Sequence, residues 1–132
     1  MKNAITVLKD LGIQPTAQRV AIAEAVLDNT QHPTADEILV DAQKRCSIVS
    51  RATVYNTLNL FVEKGLLRTQ VLKEGTVVFD PNVENHHHFI DEEDGTIIDI
   101  PWNWLSVHGK QKLEDFDIRD YQVILRGTRR SR

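Results

Sequence analysis

At 132 residues the chain is the size of one domain or two very small ones, which excludes a large enzyme. Apolar residues make up 41% and charged residues 27%, so neither disorder nor a collagen-like repeat is expected, and 16 Lys plus Arg against 19 Asp plus Glu removes any whole-molecule electrostatic case for binding nucleic acid. No apolar run approaches the ~20 residues of a bilayer crossing, the start MKNAITVLKD lacks the apolar core of a secretion signal, and Cys46 is the single cysteine; the expectations are a cytoplasmic protein with no membrane partner, no internal disulfide and no four-thiolate metal site.

In chain order, Asn3 to Leu11 predicts a short amphipathic helix with Ile5, Leu8 and Leu11 on one side and Gly12 as a left-handed cap. Thr16 is a natural N-cap for a second helix carrying Val20, Ile22, Ala23, Val26 and Leu27. Thr34-Ala35-Asp36-Glu37 has the form of a capping box and opens a third. Ser50 caps a fourth that runs to Lys64 with the stripe Val54, Leu58, Phe61 and Val62, and Gly65 ends it. The period then changes. Leu66 to Leu72 and Thr76 to Asp80 predict two strands joined through Lys73-Glu74-Gly75. Helices followed by a two-stranded ribbon is the order of a winged helix-turn-helix, with the third and fourth helices as its supporting and recognition pair.

Residues 81–85 predict a hinge between a winged-helix DNA-binding domain at 1–80 and a second domain at 86–132. In the latter, His86 to Asp91 and Thr96 to Ile100 predict strands around an acidic turn, Pro101 a break, Trp104 to Leu113 a helix, and Tyr121 to Arg126 a strand. The expected class is α+β, an N-terminal winged helix-turn-helix followed by a small α/β dimerisation domain. About fifty residues bury too little apolar surface to be stable alone, so a homodimer is expected, with Ile97, Ile98, Ile100, Val123 and Leu125 supplying apolar contact. The acidic run Asp91 to Asp94 reads as a solvated turn, and Trp102 and Trp104 as core or dimer contacts.

Two residue groups carry chemistry. On the fourth helix Ala52, Tyr55, Asn56 and Asn59 share a face turned from the apolar stripe, with Arg51 in the first turn. Small residues allow close approach to the major groove, Asn bonds adenine edges, an aromatic ring contacts thymine methyls, and Arg fixes phosphate or guanine. Local basic clusters at Arg19, Lys44, Arg45 and Arg51, and at Arg129, Arg130 and Arg132, add to the DNA case. The other group is Asn85-His86-His87-His88-Phe89, where alternation sends His86 and His88 to one face of a strand and His87 to the other. With Asp99 on the next strand, Asp80 at the end of the ribbon and His32 in the loop before the third helix, three imidazoles and two carboxylates suit Fe2+, Mn2+ or Zn2+.

Pro15 to Arg19, His32 to Ile38, Ser50 to Leu58, Phe79-Asp80 and His86 to His88 together resemble the ferric uptake regulator (Fur) superfamily of metal-dependent repressors over nearly the whole chain. The resemblance implies a homodimer that binds a palindromic AT-rich operator in double-stranded DNA and regulates iron or peroxide-stress genes. Its recognition helix would begin at Arg51, with Ala52, Tyr55 and Asn56 at the bases and Arg19 nearby. All five of His32, Asp80, His86, His88 and Asp99 match the peroxide-responsive branch (PerR), which implies one regulatory ion per subunit clamping the two domains and, with Fe2+, release through oxidation of a ligand His. The stretch Phe79 to Ile100 also resembles the iron-response regulators (Irr), which implies haem as an alternative ligand of the His cluster, although their Cys-Pro motif is missing. The family's structural zinc sits on paired C-x-x-C motifs; Asp91 and Asp94 occupy the first of these and no thiol follows, so no structural zinc on four cysteines is expected. From the residues alone, a small non-haem iron enzyme built on His86, His88 and Asp99 is a rival reading, and a zinc-storage module another.

Overall fold

The computed structural model describes residues 3–73 and 75–130; Glu74 and Arg132, both singled out above, lie outside the described residues. The chain divides into two compact units, the first ending at Val83 and the second beginning at Glu84.

The first unit consists of α1 (Ala4–Asp10), α2 (Ala17–Val26), α3 (Ala35–Arg45), α4 (Arg51–Glu63), β1 (Arg68–Lys73) and β2 (Thr76–Asp80). Each helix starts where a short polar side chain takes up an orphan backbone N–H: Asn3, Thr16, Thr34 and Ser50 are the N-caps, and Thr34 and Glu37 form the full capping box. Gly12 and Gly65, at φ 73° and 77°, end α1 and α4 in the left-handed region that L side chains avoid. The helical stripes meet in one core, with Leu8, Ile22, Val26, Ile38, Val54, Leu58 and Phe61 all buried. Each such side chain contributes ~1.5–3 kcal/mol of transfer free energy. β1 and β2 pair antiparallel from Arg68↔Asp80 to Lys73↔Thr76, with an irregularity between Val71 and Lys73. The Phe79 N–H donates to the Pro33 carbonyl at 2.9 Å, so the end of the ribbon is tied to the loop that precedes α3.

In the second unit β3 (His86–Asp91) is central. β4 (Ile97–Pro101) pairs with it antiparallel and β5 (Ile124–Gly127) parallel, giving the order β4-β3-β5. A parallel neighbour demands a long crossover. That crossover is not the helix expected over Trp104 to Leu113, but two 3₁₀ turns, Trp102–Trp104 and Lys110–Leu113, with extended chain between. Leu105 is extended at φ −126° and Gly109 left-handed at φ 110°, and the intervening Ser106, Val107 and His108 are weak helix formers. Pro101 closes β4 instead of starting a break, and the last strand is shorter than the expected Tyr121 to Arg126. No helix among the described residues is long and apolar enough to cross a membrane.

Candidate metal centre and DNA-reading helix

In the second unit, alternation along β3 places His86 and His88 on the same side, and their ring centroids lie 4.5 Å apart. Asp99 faces His88 in the β3–β4 register. Its Oδ1 lies 3.4 Å from His86 Nε2 and 3.4 Å from His88 Nε2, and both rings are buried. The opposite ring nitrogens are oriented from behind: His86 Nδ1 is 2.6 Å from the Glu84 carbonyl oxygen, and His88 Nδ1 is 2.8 Å from Gln122 Oε1. A carbonyl oxygen only accepts, so each Nδ1 carries a hydrogen, and in the neutral ring each Nε2 then turns a lone pair toward a carboxylate oxygen. For neutral rings that approach is repulsive unless a cation, a proton or a metal ion, stands between them. The donor set of two imidazoles and a carboxylate therefore fits a divalent ion.

His87 points the other way, as its place in the alternation requires. Its ring stacks on Trp102 at 4.6 Å with 15° between planes, and its Nδ1 accepts the Val123 N–H at 2.9 Å. Trp102 is thus a packing residue, whereas Trp104 is 70% exposed.

The first unit contributes a second pair. Asp80 is the last residue of β2, and its Oδ2 lies 3.4 Å from His32 Nε2, both side chains being buried. Asp80 Oδ1 accepts the Asn82 N–H at 2.9 Å, which fixes the carboxylate. His32, at φ 55°, is the one described residue other than glycine with a positive φ. It immediately precedes Pro33, and the link from Pro33 to Phe79 brings the loop and the end of β2 together.

On α4, Ala52, Asn56 and Asn59 are exposed and Tyr55 is 45% exposed, while Val54, Leu58 and Phe61 are buried. The expected outward face is there. Arg51 makes an ion pair with Asp36 of α3, and the hydrogen bond to that carboxylate raises its already high pKa. Arg19 lies in the first turn of α2, half-buried, and donates from Nη1 to the Gln14 carbonyl at 3.2 Å.

Glu92, Glu93 and Asp94 form the expected exposed turn, whereas Asp91 ends β3 and leaves it. Asp91 is buried and Arg129 bonds both Asp91 and Asp94, so Arg129 is engaged within its own unit and is not part of a basic cluster available to phosphate. The roles of Glu84, Gln122 and Arg129 are not marked in the sequence: Glu84 acts through its backbone carbonyl, which any residue carries, and Gln122 and Arg129 meet side chains more than thirty residues away.

The ferric uptake regulator family model matches residues 10–126. Among curated proteins, the peroxide-responsive repressor PerR of Staphylococcus aureus strain Mu50 is 32% identical over 130 residues, covering 97% of this chain and 88% of that protein. A zinc-bound manganese uptake regulator of known structure superposes with a TM-score of 0.71 at 25% identity, covering 97% of this chain and 99% of its own. The Campylobacter jejuni peroxide stress regulator gives 0.69 at 23% identity over 99% and 98%, a likeness of fold. These relatives are regulators, and the enzyme alternative falls with them. The chain belongs to the ferric uptake regulator family: it is a transcription regulator and not an enzyme.

Proposed function

We propose that the chain is a cytoplasmic, homodimeric repressor of iron or peroxide-stress genes whose hold on DNA depends on one divalent ion per subunit, Fe2+, Mn2+ or Zn2+. In this reading residues 1–80 read DNA, 81–85 are a hinge, and 86–132 form the dimerisation and metal-binding domain. The ion is held by His32 and Asp80 from the first domain and by His86, His88 and Asp99 from the second. When bound, it supplies positive charge and directional bonds to all five side chains.

One observation carries the proposal. His86 and His88, each with its hydrogen on Nδ1, aim Nε2 at the same oxygen of Asp99. His32 and Asp80 repeat the motif of a buried imidazole nitrogen 3.4 Å from a carboxylate oxygen. A carboxylate in each set favours a bare ion over haem. The Staphylococcus aureus relative is named a peroxide-responsive repressor, which supports peroxide as the signal. On the DNA side, the exposed Ala52, Tyr55 and Asn56, with Arg51 in the same first turns, suit an AT-rich major groove. Regulators of this family bind DNA and act as dimers, and fixing the angle between domains would set the spacing of two recognition helices.

The test is a gel-shift titration of a palindromic AT-rich duplex with and without Mn2+. The wild type is expected to bind at least about tenfold more tightly with the ion, the scale on which loss of metal-site partners is felt. His86→Ala and Asp99→Ala should lose this stimulation while remaining dimers in sedimentation. Metal-stimulated binding that survives both substitutions overturns the assignment.

A further inference from the structure

Asp91 is the last residue of β3 and Asp94 lies in the turn toward β4. By resemblance these two positions belong to a zinc-binding thiol pair, but carboxylates stand there and the chain's single thiol, Cys46, lies in the first unit. Each of the four carboxylate oxygens has a partner of the chain's own. Asp91 Oδ1 accepts the Glu93 N–H at 2.9 Å and Asp94 Oδ1 accepts the Thr96 N–H at 2.9 Å. The two Oδ2 atoms take one guanidinium, Arg129 Nε reaching Asp91 at 2.8 Å and Nη2 reaching Asp94 at 2.7 Å. Beside them the Glu92 N–H donates to the Gly127 carbonyl at 2.8 Å, at the end of the parallel β3–β5 pairing.

We infer that Arg129 is a built-in cation that fastens the segment after β5 to the β3–β4 turn, doing with one guanidinium what a structural metal would do with thiols, so that this unit needs no ion at that corner. The fork geometry of arginine is what makes this possible. Two N–H vectors of a planar group diverge to two carboxylates, whereas an ammonium is a point charge on a flexible stem and holds no such fixed angle. With both carboxylates hydrogen-bonded and sharing one guanidinium, a zinc ion would have to expel Arg129 and would gain only hard oxygen donors in return.

The chain carrying His32→Ala, His86→Ala and Asp99→Ala together, which keeps only two of the five proposed ligands of the regulatory ion, separates this corner from the regulatory site. It is expected to carry no zinc after purification from zinc-supplemented cells, and its melting temperature should not move on addition of EDTA. Stoichiometric zinc, or a melting point that drops on chelation, overturns the inference. Amide hydrogen exchange supplies a second reading. In Arg129→Ala the Glu92 amide should exchange about tenfold faster or more, with Arg129→Lys between the two, because the strand end then opens locally. If Arg129→Ala fails to fold, Asp94→Asn removes one arm at an exposed position and should accelerate the same amide more mildly. Protection unchanged in these variants also overturns it.

Discussion

His32 is held in a backbone conformation that costs a residue with a Cβ of order 1–3 kcal/mol, and Pro33 after it narrows the choice further. A side chain kept there must be wanted there. The proposed ion supplies the reason: in this conformation His32 Nε2 lies 3.4 Å from Asp80 Oδ2. Replacing His32 with glycine or alanine should abolish metal-stimulated DNA binding equally, because both remove the imidazole. Their stabilities should part, with His32→Gly more stable than His32→Ala by ~1 kcal/mol in chemical denaturation of the metal-free chain, as only glycine relaxes at positive φ. Equal stabilities would mean that the left-handed turn is not strained.

Among the elements, the join between the β3–β4 turn and the segment after β5 has a defined pH signature. Hydrogen bonding from the Glu93 amide, followed by that of Arg129, lowers the Asp91 pKa below the ordinary 3.8, and hydrogen bonding from Thr96 lowers that of Asp94. A carboxyl whose pKa is depressed by folding stabilises the fold fully above its unfolded value and loses that contribution as the pH falls through the folded one. Denaturant midpoints of the wild type should therefore hold down to about pH 4 and fall below it. In Asp91→Asn the acid-dependent part of that fall should shrink, at the cost of lower stability near neutral pH. The same elements show why some of the fold was readable in the sequence and some was not. Asn3, Thr16, Thr34 and Ser50 mark helix starts through contacts within three residues, and α4 carries its own period, so the winged-helix half was legible. The crossover from Trp102 to Val123 was not: its path is set by a parallel pairing that must be reached, and Gly109 at φ 110° breaks a helix that composition alone suggested. Of the site, the ligand types and the alternation of His86, His87 and His88 were visible. The groups behind them were not, since the Glu84 carbonyl is backbone that any residue carries and nothing local marks Gln122 as meeting a histidine 34 residues away.

For the whole molecule, the proposed ion couples two units that the fold builds separately, and coupling of this kind is reciprocal. If the ion tightens operator binding by some factor, operator DNA must tighten ion binding by the same factor. Fluorescence competition for Mn2+ with and without the duplex, set beside DNA titrations with and without Mn2+, should return equal ratios for the wild type. A factor of one in both titrations would show that the ion and the operator bind independently, and would overturn the coupling.

The three histidines occupy the strand to which both neighbours pair, and this limits how such a sequence can change over generations. Loss or gain of a single residue between His86 and Asp91 would swap which imidazoles face Asp99 and which one lies against Trp102, and would unseat β4 and β5 together. Insertions and deletions in this stretch should accordingly be purged from any lineage that keeps the protein, whereas the irregular, largely exposed crossover from Asn103 to Arg119, which ends before Tyr121 and Gln122 return to the strand, is free to lengthen or shrink.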